Sequence, residues 1–422
     1  MSGQATGRVD LPVFSMGAFA LNEDTLAFLL GPVGSGVLGG LADQDLSDAR
    51  TLALLNALRR ELSPEQAGAA LTLARLRERA ASKFSRAGGM YFTPEALEQA
   101  SGEIIAGWRA RRFAEAGYVR VADLGCGIGG DTLALAALPG VGVVGLDRDP
   151  LRLRLARANV RAYGHDAGWL AADLLDPLPL RGVPAAFFDP ARRDEGRRVF
   201  SVRDYQPPLD TIRAWAFDAL AVKLSPGVAL DELSPYTGAG AGVEFISVTG
   251  ELKEAVLWTG AFGFGGRRAT RLDADGNAAT LAPMGLPAPP LSEPRAYLYE
   301  PDPAVIRAGL FGELVAEVKA SLYRLDETIA YLTGDDALDT GWLRAWPVEA
   351  WMPFHLKRLR AALVERGVGQ ATVKKRGSPI APETLQAQLR LSGAGRAAVV
   401  VLTRVAGRHC ALICGEPLGR GR

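Results

Sequence analysis

The sequence predicts an α/β protein: a doubly wound parallel sheet with an antiparallel edge hairpin, preceded by a helical domain and followed by a small α/β domain. Three observations support this prediction. Apolar, strand-like runs alternate with segments of helical period from Tyr118 onward, two capped helix starts precede them, and a helix, strand, helix and hairpin pattern ends the chain. At 422 residues, the chain has room for about three domains of roughly 150 residues each.

Two sequence segments mark helix starts in the N-terminal part. Ser63-Pro64-Glu65-Gln66 is a capping box, and Thr93 with the following proline repeats this pattern before a second helical segment. Between them, residues 82–92 interleave basic and aromatic side chains. This loop can meet nucleic acid or, more commonly, anchor its aromatic side chains in a core. Residues 25–42 carry no charge, but their five glycines and Pro32 argue against a helix there, so neither a membrane span nor a signal peptide is expected.

The strands and helices of the central sheet follow from the change of period. The predicted strands cover 119–124, 141–146, 168–172, 184–188 and 219–224, and the predicted helices cover about 130–138, 150–163 and 207–217. Residues 243–248 and 255–258 predict the edge hairpin. A Gly- and Pro-rich stretch at about 260–294 marks a boundary, with a turn and a small hairpin at Asp275-Gly276-Asn277. The tail predicts a helix (354–366), a strand (371–376), a helix (382–391) and a hairpin (397–403 with 409–414).

The predicted domains are an N-terminal extension (1–42), a helical domain (43–117), the central α/β domain (118–260), a linker with a small α+β connector (261–353) and a basic tail domain (354–422). A ferredoxin-like strand pairing is one alternative for the connector. Three cysteines and three histidines exclude a disulfide framework and a His-rich metal centre, so no metal and a reducing, cytoplasmic location are expected. Cys410 and Cys414, next to His409, are metal ligands or, more commonly, part of a buried strand.

A glycine-rich segment, DLGCGIGGD at residues 123–131, joins the first strand of the sheet to a helix. Gly125, Gly127 and Gly130 have the G-x-G-x-x-G spacing, so a dinucleotide site has to be considered. Asp123 argues against it, because a carboxylate before the first glycine repels a pyrophosphate but can orient a ligand ammonium. S-adenosylmethionine carries such an ammonium group.

Residues 118–260 resemble the class I S-adenosylmethionine-dependent methyltransferases, which implies a Rossmann-like methyltransferase sheet and S-adenosylmethionine as cofactor. The resemblance implies that Asp147, which closes the second strand, holds the ribose hydroxyls, and that Asp173 contacts the adenine amine. The implied cofactor-binding residues lie in the glycine-rich segment and after the next two strands (Asp123, Gly125, Gly127, Gly129, Asp131, Asp147, Asp173). A helix cap or a dehydrogenase site is the alternative.

FFDPARR, at residues 187–193, ends the fourth strand, where doubly wound sheets place their substrate. It resembles the D-P-P-[YFW] motif of methylases that act on planar or exocyclic amines. Asp189 and Pro190 match this motif, whereas Ala191 and Arg192 do not, and Arg192 stands where an aromatic residue is usual. Asp189, Pro190 and Arg192 are the candidate catalytic residues. Arg192 can stack on a base or hold a phosphate, or merely pair with surface acids. Lys223, in AVKLSPG, either contacts substrate or pairs with Asp189 and keeps it charged.

The net charge of +1 conceals a basic tail on an acidic body. Residues 354–422 contain 13 Lys and Arg against three acids, whereas the preceding residues contain 35 against 44. Lys374, Lys375 and Arg376 form a compact run in a chain with only seven lysines. Residues 373–393 and the following apolar hairpin resemble the THUMP-like domain at the C-terminus of a bacterial branch of these methyltransferases. THUMP domains help tRNA-modifying enzymes to hold tRNA, which implies that this basic run binds RNA; a solvated surface is the alternative.

These observations predict a methyltransferase that modifies a base in structured RNA, with tRNA favoured. The alternatives are an enzyme of the same class that acts on a small molecule or protein, and an RNA-binding protein with a vestigial cofactor pocket. No membrane partner is expected, and the sequence does not predict an oligomeric state or a role for residues 295–353.

Overall fold

The computed structural model describes residues 21–191, 193–194, 197–198, 201–238 and 240–419. The chain divides into two compact units, residues 1–186 and 187–422. The helices of the first unit are α1 (Glu23–Leu30), α2 (Pro32–Leu41), α3 (Thr51–Leu58), α4 (Pro64–Ala80), α5 (Pro94–Gln99), α6 (Glu103–Glu115), α7 (Gly130–Ala136) and α8 (Pro150–Ala162). The predicted capping box starts α4: Ser63 Oγ accepts a hydrogen bond from the Gln66 amide, and Gln66 Oε1 accepts one from the Ser63 amide.

The expectation that residues 25–42 are not helical is wrong, because they form most of α1 and α2, which meet at Gly31. The glycines allow close packing of the two helices: a Cβ at Gly34 would lie 2.3 Å from the Phe28 carbonyl oxygen. Leu26 and Leu38 are buried in the same core as α4. In the described part of the chain, no single helix is long and apolar enough to cross a membrane. The pair α1 and α2, bent by 78°, satisfies that test only when both helices are taken together.

The second helical segment is interrupted, so that α5 and α6 are separate helices. The Lys83 ammonium ends α5 by donating hydrogen bonds to the carbonyl oxygens of Leu97 (2.7 Å) and Ala100 (3.2 Å). In the same loop between α4 and α5, Phe84 and Phe92 are buried. The structure therefore supports the commoner interpretation of this loop, in which its aromatic side chains are core anchors.

The sheet of the first unit contains β1 (Arg120–Leu124), β2 (Gly142–Asp147) and β3 (Gly168–Ala171), and β4 (Ala185–Phe188) crosses the boundary between the units. β1 pairs in parallel with β2, and β2 in parallel with β3, with Asp123 opposite Gly145. α7 and α8 are the two crossover helices that the sequence predicts between these strands. The parallel α/β core is thus confirmed, but the predicted helix at 207–217 is only a 3-10 helix, Leu209–Ala214.

The second unit begins with a two-stranded ladder, β5 (Arg193–Asp194) with β6 (Arg197–Arg198), followed by β7 (Ala219–Leu224), β8 (Gly242–Val248), β9 (Glu251–Gly260), β10 (Gly266–Leu272) and β11 (Ala278–Leu281). The predicted β8–β9 hairpin is present and antiparallel. It is not the sheet edge, however, because β10 pairs in parallel with β8 and β11 extends the sheet further. The predicted small hairpin is β10–β11, whose turn is closed by Asp273 and Asn277.

A second sheet forms the rest of this unit. Its strands and accompanying helices are β12 (Tyr297–Pro301), α9 (Pro303–Ala308), α10 (Phe311–Val318), β13 (Tyr323–Asp326), β14 (Ile329–Gly334), β15 (Leu343–Pro353), α11 (Leu356–Glu365), β16 (Val368–Lys375), α12 (Pro382–Leu389), β17 (Arg396–Val405) and β18 (Arg408–Cys414). The strand order is β13-β14-β12-β15-β18-β17-β16. The predicted helix, strand, helix and hairpin pattern of the tail is confirmed. β15 joins this tail to the connector, because its first half pairs with β12 and its second half with β18.

The two cysteines of the tail, Cys410 and Cys414, are buried in β18, as the commoner interpretation of their spacing predicts. Burial raises the pKa of the Cys414 thiol to about 12. Among the described residues, no group of three or more His, Cys, Asp or Glu side chains is arranged to hold a metal ion.

Candidate active site

The glycine-rich turn after β1 depends on glycine at alternate positions. Gly125, Gly127 and Gly129 have φ values of 77°, 56° and 84°, a backbone conformation that side chains with a Cβ rarely adopt. The amides of Gly125 and Cys126 both donate to the Leu146 carbonyl oxygen at 2.9 Å, which fixes the turn against the end of β2. The backbone of this segment is thereby held open for close approach of a ligand.

Asp147, at the end of β2, supports the same turn. Its Oδ2 accepts a hydrogen bond from the Gly127 amide and its Oδ1 from the Asp149 amide, both at 3.0 Å. Burial raises the pKa of this carboxyl above its ordinary value, although both N–H donors act in the opposite direction. Each carboxylate oxygen can accept about two hydrogen bonds. Asp147 therefore retains acceptor capacity for ligand hydroxyls.

The two acids of the glycine-rich segment lie in different surroundings. Asp123 is buried at the end of β1 and accepts a hydrogen bond from the Thr132 hydroxyl of α7. Asp131, in the first turn of α7, forms an ion pair with the buried Arg109 of α6. Asp131 thus ties α6 to α7, a contact that the sequence motif does not predict.

Asp173 is exposed after β3, and its Oδ1 accepts a hydrogen bond from the Leu175 amide at 2.9 Å. With Asp123 and Asp147, it follows or ends one of three neighbouring parallel strands, whose carboxyl ends share one edge of a sheet. Acceptors at these positions fit a ligand with an ammonium, ribose hydroxyls and an amine. They do not fit a pyrophosphate, which the carboxylates would repel. This set of acceptors therefore fits S-adenosylmethionine better than a dinucleotide.

The candidate residues for holding the methyl-accepting group of the substrate belong to the second unit. Asp189 directly follows β4, and its Oδ2 accepts a hydrogen bond from Lys223 Nζ of β7 at 2.7 Å. The Lys223 side chain is 6% exposed and that of Asp189 is 23% exposed, so the ion pair leaves the carboxylate accessible. Of the two alternatives for Lys223, pairing with Asp189 is therefore observed. Pro190 is buried, and Arg192 lies outside the described residues.

The loop after β7 is fixed by residues that the sequence did not single out. The Ser225 amide donates to the hydroxyl oxygen of the buried Tyr205 at 3.0 Å. The Arg307 guanidinium of α9 donates to the carbonyl oxygens of Pro226 (3.0 Å) and Val228 (2.6 Å). Only the Pro-Gly turn after Ser225 signals a tight loop in the sequence, and the partners lie too far along the chain to be inferred.

The basic run of the tail is less free than its sequence suggests. Lys374 Nζ and Arg376 Nη2 donate to the two carboxylate oxygens of Glu300, at 2.7 and 3.0 Å, and the Lys374 ammonium lies 4.3 Å from the Trp346 ring centroid. Burial raises the pKa of Glu300, but these two cations outweigh it and hold that pKa below its ordinary value. Lys375, between them, is exposed.

The fold and the acidic strand ends fit a methyltransferase, and one of three matching family models agrees with that class. Residues 121–189 match "Methyltransferase domain", residues 343–416 match "THUMP domain-like", and residues 22–80 match "Domain of unknown function (DUF8688)". The crystal structure of a Porphyromonas gingivalis W83 protein proposed to be a methyltransferase superposes with a TM-score of 0.71. It is 21% identical and covers 90% of this chain and 97% of that one, which establishes a shared fold.

Two Mycobacterium tuberculosis proteins are closer in sequence. They are the uncharacterized S-adenosylmethionine-dependent methyltransferases MT3122 (strain CDC 1551 / Oshkosh) and Rv3037c (strain ATCC 25618 / H37Rv). Each is 38% identical over 317 residues, which span 74% of this chain and 84% of the relative. The chain belongs to the S-adenosylmethionine-dependent methyltransferases, with a THUMP-like domain at its C-terminus and S-adenosylmethionine as its cofactor.

Proposed function

We propose that this methyltransferase modifies a base in structured RNA, with tRNA as the favoured substrate class. The observation that carries the proposal is the THUMP-like domain, because domains of this type help tRNA-modifying enzymes to hold their substrate. Its match at residues 343–416 coincides with β15–β18 and the two helices between them. The net charge of +10 over residues 354–422 suits a polyanionic partner.

Cofactor binding in this proposal divides among the strand ends of the first unit. Asp123 orients the ammonium group, Asp147 the ribose hydroxyls and Asp173 the adenine amine. The turn at Gly125, Gly127 and Gly129 admits the amino-acid portion, and Asp131 fixes the start of α7 below it. S-adenosylmethionine supplies an electrophilic methyl group on a sulfonium, so the protein contributes mainly orientation and exclusion of water.

Asp189 is the proposed orienting residue for the acceptor amine. Lys223 binds Oδ2, which leaves Oδ1 and the Pro190 carbonyl oxygen as acceptors for the two amine hydrogens. With both hydrogens held, the amine lone pair is free to attack the methyl carbon. The N–C bond would form as the C–S bond of the sulfonium breaks, S-adenosylhomocysteine would leave as a neutral thioether, and one amine proton would pass to solvent. Lys223 acts as a positioning residue for Asp189. Arg192 stacks on the base or holds a phosphate. The basic run of the tail, which consists of Lys374, Lys375 and Arg376, faces the RNA backbone.

Methylation of a protein or small molecule is the second candidate. It is favoured by the Glu300 ion pairs, which neutralise part of the basic run of the tail. Incubating the enzyme with labelled cofactor and either total tRNA, protein extract or metabolite extract separates the two. We expect label in tRNA; label only in protein or small molecules would overturn the RNA proposal. RNA binding without any transfer would instead support a vestigial pocket.

The same assay tests the role of Asp189. We expect Asp189→Ala to lower the transfer rate on the order of 100-fold or more while cofactor affinity stays within about twofold. Asp189→Asn, which keeps a carbonyl acceptor, is the matched control and should retain more activity than Asp189→Ala. Equal activity of wild type and Asp189→Ala would exclude the proposed role.

A further inference from the structure

A groove of about 630 Å³ lies in the first unit, lined by residues of α1, α8 and the loop between α4 and α5. One wall is α8, which contributes Arg154, Arg157 and Arg161, and the other includes Leu30 and Tyr91. None of these residues takes part in the cofactor or acceptor sites described above. The groove is therefore a separate feature of the molecule.

The α8 wall is strongly basic. Arg154, Arg157 and Arg161 are three and four positions apart, so they share one face of the helix. Arg154 forms an ion pair with Glu23 of α1. Arg157 and Arg161 are exposed, and neither has an acidic partner within the described ranges of the chain. Like charges at this spacing destabilise a helix slightly, and a bound anion would relieve that repulsion.

The opposite wall is apolar and rigidly placed. Leu30 is 40% exposed, a large apolar side chain left at the surface. Tyr91 is fixed to α8, because its amide donates to Asn159 Oδ1 at 2.7 Å and its carbonyl oxygen accepts from Asn159 Nδ2 at 3.0 Å. The Arg77 guanidinium lies 5.1 Å from the Tyr91 ring centroid. The Tyr91 backbone is thus fixed to α8 before any ligand arrives, which lowers the entropic cost of binding at this wall.

We propose that this groove binds a single-stranded or unstacked segment of the RNA substrate, an inference that rests on the proposed function. Guanidinium groups pair with phosphate oxygens in a bidentate manner, and bases pack on aromatic or apolar surfaces. Arg157 and Arg161 contact phosphates, and Leu30 with Tyr91 contacts a base. RNA contacts therefore extend to α1, within the region of residues 22–80 that matches a domain of unknown function.

The test compares two double variants of the full-length protein. Arg157→Ala with Arg161→Ala removes the two groove cations. Arg59→Ala with Arg60→Ala removes two exposed cations of the α3–α4 connection, which do not line the groove. Binding of total tRNA is measured between about 0.05 and 0.2 M salt. We expect the groove variant to bind tRNA about tenfold more weakly. The negative slope of its log K against log salt should become shallower by about two. Cofactor affinity should not change.

The outcomes separate this inference from the proposed function. If wild-type protein binds and methylates tRNA and the groove variant keeps the same affinity and slope, the groove inference is wrong and the proposed function stands. Equal losses in the groove and control variants would also overturn the inference, because they would indicate non-specific charge. If wild-type protein neither binds nor methylates tRNA, the proposed function falls, and the groove inference falls with it.

Discussion

At the residue scale, Asp147 combines two tasks that follow from its position at the end of β2. Its carboxylate holds the Gly127 amide, and it faces the side where the ribose hydroxyls are proposed to bind. Because burial raises its pKa, the folded protein takes up a proton on this group at a higher pH than an exposed aspartate does. Protonation removes acceptor capacity, so cofactor affinity depends on this titration.

We expect the cofactor Kd of the wild type to rise as the pH is lowered, and this rise should begin at a pH above the ordinary pKa of an aspartate carboxyl. Asp147→Asn should bind more weakly and should lack this part of the pH dependence. Folding stability changes with pH in the opposite direction to cofactor affinity. Because the pKa of this carboxyl is raised in the folded protein, the free energy of unfolding falls as the pH rises through the interval between the ordinary and the raised pKa. Calorimetric titration of both proteins over pH measures the effect, and parallel Kd profiles would contradict it.

At this scale, the sequence suggests a pair of residues within one predicted domain but not a pair that joins two of them. Asp189 and Lys223 are candidates because each lies at the end of a predicted strand, and the ion pair that is one of the two alternatives for Lys223 is observed. By contrast, Glu300 lies 74 positions before Lys374, in a different predicted domain. Only the second sheet, which places β12 and β16 in reach of each other's side chains, joins the two.

At the element scale, the turn between β1 and α7 is tightly constrained at its glycines. Gly129 has a φ of 84°, and a Cβ there would lie 3.0 Å from the Ala156 Cβ of α8. Gly107, in the interior of α6, has ordinary helical geometry and no atom within 4 Å of an added Cβ. The two glycines therefore differ in what an alanine would cost.

We expect Gly129→Ala to lower the free energy of unfolding by about 2 kcal/mol and to weaken cofactor binding, because it strains the backbone and crowds α8. Gly107→Ala should raise the free energy of unfolding by about 0.5–1 kcal/mol, since alanine favours the helix. Denaturant titration measures both. Equal effects from the two substitutions would refute this assignment of the turn.

Element prediction succeeded where local chemistry decides and failed where tertiary contacts do. α4 starts at its capping box, and the β17–β18 hairpin turns at Ala406 and Gly407, both at positive φ. α1 and α2 were missed because glycine has low helix propensity, whereas Gly34 here permits close helix packing. The break between α5 and α6 depends on Lys83, which reaches the helix end from another segment.

At the scale of the whole molecule, the basic tail carries both structural and exposed cations. Lys374 is bound to Glu300 and lies over Trp346, whereas the neighbouring Lys375 is exposed. Lys374→Ala should lower the free energy of unfolding by about 1–3 kcal/mol, because it leaves a half-buried carboxylate short of a partner. Lys375→Ala should change it by less than about 0.5 kcal/mol but lower the salt slope of tRNA binding by about one.

Denaturant titration and tRNA binding at several salt concentrations check this ranking. If Lys375→Ala destabilised the protein more than Lys374→Ala, the structural role of the Glu300 pair would be wrong. An unchanged salt slope in Lys375→Ala would place the RNA contacts of the tail elsewhere.

The order of secondary structure, with helices first, then the parallel α/β segment and then the tail, was predictable from the sequence because each segment has its own period. The extension of the β8–β9 hairpin by β10 and β11 was not, since these strands lie in a Gly- and Pro-rich stretch and β10 carries three arginines in place of an alternating apolar pattern. The substrate class likewise depends on the resemblance of the tail to THUMP-like domains.

The most direct test of RNA methylation is nucleoside mass spectrometry of cellular tRNA. The source organism is compared with a strain that lacks the gene and with that strain complemented by wild type or by Asp189→Ala. We expect one methylated nucleoside to disappear on deletion, to return with wild type and to stay absent with Asp189→Ala. Identical tRNA nucleoside profiles in all four strains would contradict the proposed function.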